Sequence, residues 1–206
     1  YLMGFFPPGG ALQIETTMRG MFNIVYAHAA GYDAIHARDL VDADGDGNNA
    51  LVSIAKNRPV MEPKDPNNAG DVESARILEY LYNHMLFNGM VYGQVDLNAD
   101  EDLDDPGEGT FPELANKLDW IGINYYGRFY VQMNIDAMAA GPVTHTHDPS
   151  DPDELTSDLG WALYPIGFSA ILEEAWQRYQ KPIQILENGI ADAAQPDSLR
   201  QTFLVS

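Results

Sequence analysis

The sequence contains no cysteine, which removes a disulfide framework, a thiol nucleophile and a thiolate metal site at once. It is also poor in positive charge. Eleven Lys and Arg face thirty-one Asp and Glu, for a formal charge of −20. That field repels phosphate backbones and anionic lipid surfaces, so neither nucleic acid nor membrane is an expected partner. No apolar run approaches the roughly 20 residues that span a bilayer. What remains is 45% hydrophobic content over 206 residues, enough to bury one sizeable core and typical of globular chains. The chain opens on Tyr1 and stops where a helical pattern is starting, at Leu204-Val205-Ser206. A single domain spanning 1–206, truncated at both ends, is the expectation.

Apolar residues at Met18, Met21, Phe22, Val25, His28, Ala29 and Tyr32 recur at helical spacing after a Pro7-Pro8-Gly9-Gly10 turn, predicting a long amphipathic helix. His28 lies on the apolar face and reads as a core histidine. After the acidic stretch 42–49, Ala50 to Ala55 reads as a short buried strand, and Pro59 and Pro63 predict irregular chain beyond it. A second helix is expected from an N-cap at Asp71, with Val72, Ala75, Leu78, Leu81, Tyr82, Met85 and Leu86 on one face, until Gly89. The acidic segment 96–108 reads as a loop. Leu118 to Tyr126 is apolar, β-branched and aromatic, which suits a strand covered on both faces. Segment 136–158, rich in Pro, Asp and Thr, predicts a long surface loop. A third helix comes after Pro165, with Phe168, Ile171, Leu172, Ala175, Trp176 and Tyr179 as its apolar stripe, and Ile183 to Leu186 reads as a further buried strand.

Helix and strand alternate, the pattern of parallel α/β architecture. It does not choose between an open sheet and a barrel, but in both architectures ligands gather at the carboxyl ends of the strands. Those ends fall just after Ile54, near Asn124 to Tyr126, and at Glu187. A carboxylate at such an end can cap a turn formed by Asn188-Gly189. It can equally point into the mouth of the sheet and attack an anomeric carbon. Asn124 and Tyr126 are alternate residues and share one strand face, so both are expected to meet Glu187, the phenol holding the carboxylate ionised and oriented. Aromatic packing at a strand end is the other reading of that pair.

Three motifs occur in order: Asp119-Trp-Ile-Gly-Ile-Asn-Tyr-Tyr126, Gly160-Trp161-Ala-Leu-Tyr-Pro165 and Glu187-Asn-Gly-Ile-Ala-Asp192. With Pro7-Pro8-Gly9 and Ala27-His28-Ala29 they resemble glycoside hydrolase family 1 over nearly the whole chain. The resemblance implies a (β/α)8 TIM barrel, of which this chain is roughly the portion from helix 4 to strand 7, since a complete barrel takes about 250 residues or more. It implies a retaining β-glycosidase, β-glucosidase-like, that needs no cofactor and takes a small carbohydrate substrate. Glu187 would be the nucleophile, Tyr126 its hydrogen-bonding partner, Asn124 a polar residue near the sugar and Trp161 a stacking platform on the leaving-group side. Leu186 departs from the family, which usually has Thr before the nucleophile. The family's Asn-Glu-Pro segment with the acid/base would end just before Tyr1, so the isolated chain is expected to be inactive.

Asp42-Ala-Asp44-Gly-Asp46-Gly47 matches the first half of an EF-hand-like calcium loop, with oxygens at alternate positions and Gly at the sharp turn. Ser53 stands where the bidentate Glu would be, so a structural calcium on Asp42, Asp44 and Asp46 competes with a plain Asp/Gly turn. Asp96-Leu-Asn98-Ala-Asp100 is a weaker echo. His145 and His147 form a further candidate metal pair, or two solvated histidines. A non-catalytic, calcium-stabilised carbohydrate-binding or scaffold protein on the same half-barrel is the alternative function.

Overall fold

A computed structural model describes residues 14–135 and 141–205; the Pro7-Pro8-Gly9-Gly10 turn lies outside the described residues. In chain order the elements are α1 (Ile14–His36), β1 (Ala55–Asn57), β2 (Val60–Pro63), α2 (Ala69–Glu79), a π turn (Tyr80–His84), α3 (Met85–Tyr92), β3 (Gln94–Val95), β4 (Gly109–Thr110), β5 (Ile121–Tyr125), β6 (Arg128–Asn134), β7 (Gly141–His145), α4 (Ile166–Tyr179), β8 (Ile183–Asn188) and α5 (Ser198–Val205). They divide into two compact units, one of Tyr1–Ser53 with His84–Asp119, the other of Ile54–Asn83 with Trp120–Ser206. Among the described residues no helix is long and apolar enough to cross a membrane.

In the first unit, α1 buries Met18, Phe22, Val25 and Ala29, and α3 buries Met85, Phe87, Met90 and Val91. Each fully buried large side chain contributes roughly 1.5–3 kcal/mol. The two helices meet at Gly89, where an added Cβ would lie 3.0 Å from both methyls of Val25. His28 is half-buried, with its Nε2 2.6 Å from the Lys117 carbonyl. Asp119 ties the end of α1 to the loop before β1. It accepts from the Tyr32 hydroxyl at 2.7 Å and the Val52 N–H at 2.7 Å, and His36 lies 3.1 Å away. A short antiparallel pair, β3 with β4, closes the acidic loop 96–108.

In the second unit, β1, β5 and β8 form a parallel sheet with β5 in the middle. A second sheet pairs β2 parallel with β6, and β6 antiparallel with β7. The parallel strands and their helices are part of a (β/α)8 barrel. α2 packs on β2 and β6, and α4 buries Gly167, Ile171, Ala175 and Tyr179.

Several expectations need correction. The strand after α1 is Ala55–Asn57, not 50–55, because the backbone ladder to β5 begins at Ala55. Pro59 and Pro63 do not keep the chain irregular. Pro63 is the last residue of β2, which among the described residues is an edge strand, where a missing N–H is tolerated. Asn68, not Asp71, caps α2, its side chain accepting from Gly70 and Asp71 N–H groups. Asp71 is buried and accepts from the Met133 N–H at 2.8 Å. The second helix does not run unbroken, since a π turn interrupts it at Tyr80–His84, and two residues of the expected apolar stripe, Val72 and Tyr82, are exposed. Within the segment expected to be a loop, residues 141–145 form β7, paired with Tyr130–Asn134 of β6. Among the described residues β8 is an edge strand, with Ile185 and Leu186 exposed rather than buried. Trp176 turns outward on α4.

Candidate functional site

The site is built on a row of strand ends. Asn57 of β1 is in register with Asn124 of β5, and Asn124 with Glu187 of β8. The register slips once, from Ile123 opposite Ile185 to Asn124 opposite Glu187, so Leu186 is the extra residue of a bulge. A bulge bends and twists its strand and re-aims the next side chain. Here it brings Glu187 into line with the two asparagines. Gly122 makes this approach possible, since a Cβ there would lie 2.2 Å from the Ile54 carbonyl oxygen and 3.0 Å from Leu186 Cδ1.

Tyr126 leaves β5 at its carboxyl end, and its hydroxyl donates to Glu187 Oε2. The Trp161 ring stands edge-on to Tyr126, centroids 6.0 Å apart at 67°. Trp161 sits on a hairpin closed by a bridge between Thr156 and Ala162 and by the Ser157 N–H donating to the Trp161 carbonyl at 2.9 Å. Asn188 donates from Nδ2 to the Tyr125 carbonyl at 3.2 Å and locks β8 to β5 beside the site. The groove in front of Glu187 encloses about 680 Å³, and Tyr126, Leu159, Trp161, Leu186 and Ile190 are among its lining. Glu187 is the one carboxylate among the described residues that line it. Oδ1 of Asn57 and of Asn124 are shielded from solvent and accept no hydrogen bond from the described residues. Thus Glu187, Tyr126, Asn124 and Trp161 share one side of the second unit. No sequence pattern marks Asn57, because the apolar run that signals the strand ends at Ala55.

Behind Tyr126 lies a charged cluster that no sequence motif announced. The Arg128 guanidinium donates to Glu62 Oε2 at 2.9 Å and to Glu154 Oε1 at 2.6 Å. It lies over the Tyr164 and Tyr130 rings at 4.1 and 4.5 Å. Burial acts to lower the Arg128 pKa, but Glu154 and Glu62 outweigh it and the net direction is up. The Tyr125 phenol, pushed well up by burial, donates to the Tyr164 carbonyl at 2.5 Å. Glu62 is therefore committed to an ion pair. Asp192 accepts the N–H groups of Ala194, Leu199 and Arg200, which hold its carboxyl below the ordinary range. Asp192, so held, lacks the proton a general acid must supply near neutral pH.

In the first unit, the oxygens of Asp42, Asp44 and Asp46 come within 4.8 Å of one another, no wider than a calcium coordination sphere of radius about 2.3–2.6 Å. Asp42 also accepts the Gly45 and Gly47 N–H groups at 2.7 and 2.9 Å, as a plain Asp/Gly turn would. Asp96 and Asp100 cluster likewise, joined by Glu108 from later in the loop. His145 belongs to β7 and is half-buried. Burial, with Lys64 nearby, pushes its pKa down. His147 is exposed, and the two histidines join no group of three metal-ligating side chains among the described residues.

Three comparisons bear on this arrangement. The chain is 33% identical to a β-galactosidase of Pyrococcus woesei, across 98% of this chain and 40% of that protein. It is 32% identical to β-glucosidase 33 of Arabidopsis thaliana, across 82% of this chain and 29% of that protein. Its fold matches a β-glycosidase from Pyrococcus horikoshii with a TM-score of 0.75 at 24% identity, covering all of this chain and 42% of that one. The chain thus spans about two fifths or less of the length of these relatives. The model of the glycosyl hydrolase family 1 matches residues 1–202, and the chain belongs to that family.

Proposed function

We propose that this chain carries the nucleophile side of a retaining β-glycosidase site acting on β-linked glucosides or related glycosides. The observation that carries the reading is the Tyr126 hydroxyl bonded to the Glu187 carboxylate at the carboxyl ends of parallel strands. Family membership favours it over a non-catalytic scaffold.

In the proposed reaction a Glu187 oxygen attacks the anomeric carbon, the bond to the leaving oxygen breaks, and a covalent glycosyl ester forms. Water then attacks the same carbon and releases the sugar and the carboxylate. The departing oxygen takes its proton from a second carboxyl group about 5–5.5 Å from the nucleophile, which afterwards deprotonates the water. Glu62 and Asp192 are otherwise engaged, so that group is expected outside these 206 residues, on an Asn-Glu-Pro segment. Asn57 and Asn124 would accept sugar hydroxyls, and Trp161 would stack on the leaving group. The scheme requires no cofactor.

An activated deoxyfluoroglucoside with a dinitrophenolate leaving group tests this, because so good a leaving group needs little acid assistance. Incubation should add one glycosyl mass to the chain, mapped by peptide sequencing to Glu187 and absent from Glu187→Gln. An unmodified wild-type chain, or modification that survives Glu187→Gln, refutes the assignment.

A further inference from the structure

The hairpin that presents Trp161 has two legs, and one side chain holds both. Glu154 lies at the foot of the outgoing leg and Tyr164 at the foot of the returning leg, where the Leu163 N–H donates to the Leu155 carbonyl at 2.9 Å. Arg128 donates to Glu154 at 2.6 Å and lies 4.1 Å from the centre of the Tyr164 ring. Its other terminal nitrogen reaches Glu62 on β2 at 2.9 Å. Arg128 stands two residues beyond Tyr126, and the linker is Gly127, at φ 150°. An added Cβ there would lie 2.8 Å from the Ala162 carbonyl oxygen. The backbone between Tyr126 and Arg128 is thus in direct contact with the backbone next to Trp161.

We infer that Arg128 is a positioning residue that fixes the Trp161 platform against Tyr126 and so sets the affinity of the site for the leaving-group half of its substrate. The inference rests on the glycosidase reading above. It goes beyond ordinary surface pairing on two grounds. The side chains are largely withdrawn from water, Arg128 at 18% and Glu154 at 9% exposure, so the pair is not one of the exposed kind worth little. The geometry also suits a planar fork, since one guanidinium bonds two carboxylates on different segments while lying over two phenol rings. Lysine offers a point charge without the plane and cannot do both. Glu154 is itself held, accepting the Asp148 N–H at 2.6 Å and the Tyr130 hydroxyl at 3.3 Å.

The test separates positioning from framework by the size of the leaving group. Two reagents label Glu187: the dinitrophenyl deoxyfluoroglucoside, whose aryl group reaches Trp161, and the corresponding glycosyl fluoride, whose fluoride does not. Arg128→Lys should slow labelling by the aryl reagent about tenfold, in the saturation constant rather than the limiting rate, as expected for a displaced aromatic contact. Labelling by the fluoride should stay within about twofold. A double variant, Arg128→Met with Glu154→Gln, leaves less uncompensated buried charge and should show the same split. Equal loss with both reagents makes Arg128 a framework residue and overturns the inference, as does unchanged labelling with both. A wild-type chain labelled by neither reagent overturns the glycosidase reading, and the inference with it.

Discussion

Replacing Tyr126 by Phe removes one oxygen and keeps the ring, so the edge contact to Trp161 is preserved while the hydrogen bond to Glu187 is lost. Two effects then oppose each other. A carboxylate released from a donor is a stronger nucleophile, yet its terminal torsion is broad and nearly two-fold, so it no longer points in one direction. Hydrogen bonds to charged groups are worth about 1.5–3 kcal/mol. Glu187 is exposed, and water can replace part of the bond, so the lower figure applies, equivalent to roughly tenfold in rate. Orientation governs attack at a fixed carbon, and the expected result is a roughly tenfold slower labelling of Glu187 by the glycosyl fluoride. Urea unfolding should change by no more than about 1.5 kcal/mol, the value of that one bond. Labelling at the wild-type rate or faster would show that the phenol does not orient the carboxylate.

Four further outcomes are expected from particular groups. Burial, with the Arg58 charge beside it, holds the Lys56 ammonium down to about 8. The unfolded chain binds more protons above that value, so stability should rise from pH 8 toward the ordinary lysine value near 10.4. Lys56→Met should abolish that rise in chemical denaturation curves. For Asp119, burial acts to raise the pKa, but the Val52 N–H, Tyr32 and His36 outweigh it and leave the group depressed. Its contribution is therefore present above the unfolded value near 4 and lost as the pH falls through the folded one. Asp119→Asn should cost about 1–2 kcal/mol at pH 7 and flatten the acid limb. The Asp42–Asp46 loop, lacking a bidentate partner at Ser53, should bind calcium only at about millimolar concentration. Titration calorimetry should give a heat that Asp44→Asn removes, and no heat returns the loop to an ordinary turn. Finally, the 206-residue chain alone should not hydrolyse a natural disaccharide, because Glu187 is the one carboxylate lining the groove among the described residues. Turnover by a monodisperse sample, abolished by Glu187→Gln, would mean that a second carboxylate within the chain supplies the proton.

Local information made the helices and the candidate nucleophile legible. The stripe Met18, Phe22, Val25, Ala29 has the period of a helix with one buried face, and α1 has that face. Ile183 to Glu187 is an apolar run ending in a carboxylate, enough to place Glu187 at a strand end, and alternation put Asn124 and Tyr126 on its side. The alternation of helices and strands was visible for the same reason, since each depends on residues a few places apart.

Pairing and partners were decided by the tertiary structure. β2 and β7 carry prolines and polar residues that locally read as loop, and they are strands because β6 lies between them. β8 has the composition of a buried strand, yet it is exposed because only β5 pairs with it among the described residues. Asn57 entered the site through its register with Asn124, and Glu187 through a bulge at Leu186. Arg128 gathers Glu62 and Glu154, 66 and 26 residues away in sequence. Periodicity reports what a residue's near neighbours require of it. Register, edge position and ion-pair choice are fixed by groups distant in the chain, whose meeting no local pattern encodes.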